Sequence, residues 1–118
     1  MPVRLGAAPG DPVGLDLPRG ITVRARVVAP EADMAGMRAY ARTYAETGDE
    51  GEALLEETIE VAARTIVEWS GVLDAEGNEL QPDRESVRSL FVSVPDVAAA
   101  FRLRYLEARA LWSAEGNA

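Results

Sequence analysis

A change of period constrains this chain more than any single residue does. On either side of the turn LPRG at 17–20, Val13, Leu15 and Leu17 alternate before it, and Ile21, Val23, Ala25 and Val27 alternate after it. Successive side chains of a strand point to opposite faces, so this alternation predicts a β-hairpin over 13–28 with one apolar face. Arg24 and Arg26 then fall on the wet face. From Pro30 onward the apolar residues recur at steps of three and four, the period of an amphipathic helix. The expected fold class is α+β, mostly α: an N-terminal β-hairpin followed by a compact bundle of about four helices.

Pro30 can open the first helix, with Glu31 and Asp33 where its N-terminus favours negative charge. Met34, Met37, Ala41 and Tyr44 share one face; Gly36 weakens the helix and Gly48 ends it. Thr47 to Glu50 and Asp49 to Glu52 both have the form of a capping box for the second helix. Leu55, Ile59, Ala62, Ala63 and Ile66 predict its buried stripe, widened by Leu54, Val61 and Val67. Glu52, Glu56 and Glu60 recur every fourth place and predict a solvated outer face. Trp69 closes this helix, with Gly71 as its C-terminal cap.

Gln81 or Asp83 is placed to cap a short helix bearing Val87, Leu90, Phe91 and Val94 on one face. Ser93, Val94, Pro95 and Asp96 have the form of a further capping box, leading into a last helix with Val97, Phe101, Tyr105, Ala108 and Trp112 on a stripe. One domain is expected over 1–118: a flexible segment at 1–12, the hairpin at 13–28, the helical part at 30–112 and a frayed tail at 113–118. Val3 and Leu5 suggest a short edge strand.

The 118 residues contain neither cysteine nor histidine. Disulfides, thiolate chemistry, histidine general bases and the commonest zinc ligand are therefore all missing. Carboxylate pairs, tyrosine and arginine are what remains for chemistry, and the expectation is a protein that is not an enzyme and uses no cofactor, metal or small-molecule substrate. Net charge is −8, unevenly spread: residues 46–80 hold eleven acids against Arg64 alone. Such a stretch repels phosphate, which argues against nucleic acid as a partner. No apolar run approaches the roughly 20 residues of a membrane span. MPVRLGAAPG lacks the apolar middle of a secretory signal, so a cytoplasmic location is expected.

The segment EWSGVLDAEGNELQPD, residues 68–83, carries the densest pattern. Asp74, Glu76, Asn78 and Glu85 match some ligand positions of a calcium-binding EF-hand loop, but Glu79 stands where that loop needs its glycine. A tight reversal around Gly77 and Asn78 fits better, with Val72, Leu73 and Leu80 flanking it. Trp69 and Leu73 would fold back over the helix just ended, and Trp69 reads either as core or as a contact surface.

That same stretch resembles the tail assembly chaperones of long-tailed phages. The shared features are Ile66-Val67-Glu68-Trp69-Ser70-Gly71-Val72, then Asp74-Ala75-Glu76-Gly77-Asn78, the short helix from Glu85 to Phe91, and the restart at Val94-Pro95-Asp96-Val97. In layout the similarity covers roughly 13–110, and it is sharpest over about 69–97; the Gly/Pro-rich start at 6–14 departs from it. The resemblance implies a non-catalytic protein that binds the tape measure protein, keeps it soluble and helps recruit tail-tube protein. It also implies a host bacterial cytoplasm, absence from the mature virion, and in many such proteins a longer frameshifted form. For such a role Met34 and Met37 offer adaptable contacts, and Tyr40, Tyr44, Phe91, Phe101, Tyr105 and Trp112 offer aromatic anchors, with Trp69 and Leu73 beside them. Alternatives are a structural phage protein, such as a tail terminator or head-tail adaptor, and an acidic regulatory binding protein.

Trp69→Ala separates the two readings of that residue. A structural tryptophan is expected to cost roughly 3–5 kcal/mol and lower the melting temperature by several degrees. A contact residue would leave the melt unchanged and weaken partner binding.

Overall fold

The computed structural model describes residues 11–115. Its elements run β1 (Val13–Asp16), β2 (Thr22–Ala25), α1 (Pro30–Thr47), α2 (Glu50–Thr65), β3 (Ile66–Ser70), α3 (Arg84–Ser93) and α4 (Pro95–Ala114). The expected edge strand at Val3 and Leu5 and most of the expected flexible start lie outside the described residues, as do 116–118. α4 continues through Ser113 and Ala114, two residues into the segment expected to fray.

The hairpin forms as its alternation predicts. β1 and β2 pair antiparallel with Leu15 opposite Val23, and the turn closes with the Leu17 amide donating to the Ile21 carbonyl at 2.9 Å. Leu15, Leu17, Ile21, Val23, Ala25 and Val27 are all buried, while Arg24 and Arg26 face water. Arg19 and Gly20 both take positive φ in that turn. A non-glycine residue is strained there, and the Arg19 guanidinium is held 3.2 Å from Asp96 in the first turn of α4.

The sheet has a third strand that the periodicity did not predict. The second helix stops at Thr65, and 66–70, expected as helix, run antiparallel to β2 with Val23 opposite Trp69. Thr65, Ile66 and Val67 are three β-branched residues in a row, stiff at χ1 and better packed on a pleated surface. Val67 is the extra residue of a bulge between the Arg24–Glu68 and Ala25–Ile66 pairs. It is therefore exposed, where the helical reading had it widening a buried stripe. Gly71 is not a helix cap either. At φ +88° it turns the chain out of β3, and a Cβ there would lie 2.7 Å from the Gly20 carbonyl oxygen.

The acidic turn is a small hairpin. The Asp74 carboxylate accepts from the amides of Glu76 and Asn78, both at 2.9 Å, and those bonds hold its pKa below the usual carboxylate range. Leu80 N donates to Val72 O at 2.9 Å. The Trp69 indole donates to the Leu80 carbonyl at 2.6 Å, pinning the returning strand over the half-buried ring. Leu73, expected to fold inward, is 54% exposed.

The four helices pack chiefly on one another, α1 on α2 and α2 on α3 and α4, while α4 also meets β1, in a body of 42 × 38 × 19 Å. Asp49 caps α2 through the Glu52 amide, and Asp83 caps α3 through the Ser86 amide. No side chain caps α4: Val94 occupies the N-cap, so the expected Ser93 box does not form, and Asp96 serves the Arg19 pair instead. α3 and α4 bring Phe91, Phe101 and Tyr105 into one stack, with ring centroids 5.7 Å apart at each step.

α1 turns its bulky stripe to the outside and its small residues inward. Ala32, Ala35, Gly36 and Ala39 are buried against α2, and Met34, Met37, Ala41 and Tyr44 point outward. Small residues let the two helix backbones approach closely. A Cβ on Gly36 would sit 2.7 Å from Val61 Cγ2 and 3.1 Å from Glu57 Cγ. Gly36→Ala is accordingly expected to destabilise by about 1–2 kcal/mol despite the better helix propensity of alanine. Thermal melts read this as a fall of several degrees; an unchanged or higher midpoint would show that the helices can separate freely.

Candidate functional site

Two clefts join along the length of α2. The first, about 180 Å³, lies between α1, α2 and α4 and is lined by Asp33, Met37, Val61, Phe101, Tyr105 and Leu106 among others. The second, about 410 Å³, lies between α2 and α4 over Gly51, Leu54, Leu55, Pro95, Ala98, Ala99 and Leu103. Thr58, Arg102 and Leu106 line both, so the two form one trough. Its walls leave large apolar side chains in water: Leu54 is 38% exposed, Leu106 44% and Leu103 54%.

α4 makes the trough because it carries two apolar stripes. Val97, Phe101 and Tyr105 face the core, while Ala99, Leu103 and Leu106, at steps of four and three, face the trough. A helix with two apolar faces and only one of them packed against its own fold leaves the other for something else. That second stripe was visible in the sequence but was masked by the stronger aromatic one. Leu54 was read as core; it stands on the rim.

One end of the trough is closed by a polar cluster. The Tyr105 hydroxyl donates to Asp33 Oδ1 at 3.0 Å, and Arg109 Nη2 donates to the same carboxylate at 2.8 Å and to the Tyr105 oxygen at 2.6 Å. Arg109 Nε donates to the Val27 carbonyl at 2.8 Å, and its guanidinium carbon lies 4.8 Å from the Tyr105 ring centre. α1, α4 and the link after β2 are tied at one point. Burial pushes the Tyr105 phenol up to about 12, so it stays protonated through the neutral range and has no use as a base.

The acidic row of α2 is likewise a structural device. Arg84 reaches Glu60 with both terminal nitrogens, at 2.7 and 3.1 Å, and Arg64 adds a bond at 2.8 Å. Arg88 grips Glu56 in the same forked way, and Arg102 lies 3.8 Å from Glu57 on the trough rim. Glu56 and Glu60 are therefore partly buried docking points for α3, a correction to the solvated face read from their spacing. The Arg84 bonds draw the Glu60 pKa from 4.5 to about 2. Among the described residues, every group with a resolved shift moves away from neutrality.

The residues singled out from the sequence divide three ways. Phe91, Phe101 and Tyr105 are buried and belong to the core, Phe101 and Tyr105 forming the trough floor. Trp69 and Trp112 are half-buried, Trp69 packed against the core and bonded to Leu80. Met34, Met37 and Tyr44 are exposed on α1, and Tyr40 meets Tyr44 edge to face at 6.2 Å. Only Met37 of these exposed residues lines the trough; Leu73 is far along the chain on the acidic turn. Among the described residues no three acidic side chains converge as a metal site, and no helix is long and apolar enough to cross a membrane.

No protein-family model, curated protein or solved structure matches this chain.

Glu60 provides a pH test. Its folded pKa lies below its unfolded value, so its contribution is full above about pH 4.5 and is lost as pH falls toward 2. Glu60→Gln is expected to cost about 1–2 kcal/mol at pH 7, a range reduced for the half-exposed arginines that solvent screens. In denaturant melts the gap between variant and wild type should close on going down through that window. A gap that persists at pH 2 would mean the pairing is not what stabilises α3 on α2.

Proposed function

We propose that this protein is a tail assembly chaperone that binds the tape measure protein of a long-tailed phage. The observation that carries the reading is the apolar trough between α2 and α4, open along its length with three leucines on its walls. Such a trough fits the apolar stripe of a single helix presenting anchors at i, i+3 or i+4, and i+7. The resemblance read from residues 66–97 supplies the identity of that helix: a segment of the tape measure protein, with tail-tube protein recruited afterwards.

Charge adds a direction. Glu50 and Glu52 flank Gly51 at one end of the trough and make no ion pair among the described residues. A bound helix is best placed with a basic end there, and that attraction speeds encounter and weakens with salt. The groups that tie Asp33, Tyr105 and Arg109 together are satisfied by one another, so the far end selects for apolar contact alone. The job involves no bond making. It requires the host bacterial cytoplasm, where assembly occurs, and release before the virion is complete.

Leu103→Glu combined with Leu106→Glu places two charges on the trough wall without touching the core. The double variant is expected to keep its melting temperature, since exposed substitutions usually change stability by less than about 0.5 kcal/mol. It should lose the cognate tape measure fragment in co-expression pull-down. Failure of the wild-type protein to retain that fragment, or full retention by the variant, would sink the proposal.

A further inference from the structure

The outward face of α1 is a second apolar surface. Met34, Met37, Ala41 and Tyr44 are separated by steps of three, four and three, the spacing of a coiled-coil seam. All four are exposed, Met34 at 50%, Met37 at 59% and Tyr44 at 40%. The seam lies directly across the helix from Ala32, Ala35, Gly36 and Ala39, the face that packs on α2. Beside it, on one flank, stand Glu31 and Arg38, one heptad apart. Neither makes an ion pair among the described residues, whereas Asp33 on the other flank is consumed by Arg109 and Tyr105.

We infer that α1 pairs antiparallel with α1 of a second copy of this chain. A two-fold arrangement makes the same patch serve on both sides, so the patch must complement itself. This one does in a single register. With Met34 of each copy beside Met37 of the other, Glu31 of each comes within reach of Arg38 of the other, and the symmetry makes that pair twice. Sliding the helices one heptad into fuller overlap sets Arg38 against Arg38, and sliding them one heptad apart sets Glu31 against Glu31; like-charge repulsion disfavours both. A parallel pairing would need Asp33 as the acidic partner, and Asp33 already has two donors. In this register the Met34 and Met37 pairs form the seam, while Ala41 and Tyr44 reach the start of the partner helix and beyond it. The contact is therefore short, below a standard stable interface, and the dimer forms in a concentration-dependent way. This pairing does not rest on the identity of any other partner.

Sedimentation or light scattering from about 1 μM to about 1 mM tests it. The wild-type chain is expected to shift from monomer to dimer across that range. Glu31→Arg and Arg38→Glu, each alone, replace two attractions by two repulsions and should weaken the dimer at least about tenfold. Mixed together, the two variants should pair with each other, because every cross-chain contact is again Arg with Glu. Met37→Glu, a change in the seam itself, should leave a monomer, with circular dichroism confirming that its helices remain. A chain that is monomeric throughout, a dimer indifferent to both charge variants, or variants that fail to recover on mixing would each overturn the inference.

Discussion

The junction between α2 and β3 is the constraint on which the rest of the structure depends. Thr65 is fully buried; its hydroxyl donates to the Val61 carbonyl at 2.8 Å, and its own carbonyl accepts from the Arg26 amide at 3.0 Å. One residue thus ends the helix and begins the sheet, with no loop between them. That fixes the axis of α2 against the strands, because any rotation of the helix would break the β2–β3 ladder. α1 follows through the close approach at Gly36, and α3 follows through the arginines that grip Glu56 and Glu60. α4 then closes on α3 through the stacked Phe91 and Phe101 rings and meets the sheet at β1.

The same junction explains how an acidic helix can sit in the middle of the fold. Like charges four residues apart repel, and α2 carries such a row. The repulsion is met by guanidinium groups arriving from three elements, with Arg64 from α2 itself, Arg84 and Arg88 from α3, and Arg102 from α4. The exclusive use of arginine suits this, since a planar fork can hold both carboxylate oxygens at once. These pairs are partly screened by water, so each stabilises α3 on α2 only modestly while fixing its orientation. The principal adhesion remains the apolar layer between sheet and helices.

Two apolar surfaces are left after the core is complete, and they have different characters. The trough is concave, with aromatic rings for a floor and leucines for walls. The α1 stripe is convex and adaptable, with two methionines at its centre. Met37 belongs to both, lining the trough and standing in the stripe. An occupant of one surface therefore bears on the other, and the body is thin enough, at 19 Å, for both to be reached from outside.

Local pattern alone determined the hairpin, the end of α1 at Gly48 and the core stripe of α4, and it narrowed the caps of α2 and α3 to two candidates each, of which Asp49 and Asp83 serve. In each case the signal and its structural partner lie within a few residues of one another. It could not determine β3, because Ile59, Ala62 and Ile66 continue a helical spacing, and the ladder that overrides it comes from β2, some forty residues earlier. It could not decide which face of α1 packs either: the close contact at Gly36 admits only small side chains, and this turns the methionines outward. Nor could it show that Glu56 and Glu60 were docking points, or that Leu54, Leu103 and Leu106 shared a trough. A spacing says which residues share a face; what that face meets is settled only when distant segments arrive, since burial and ion pairing act through space and not along the chain.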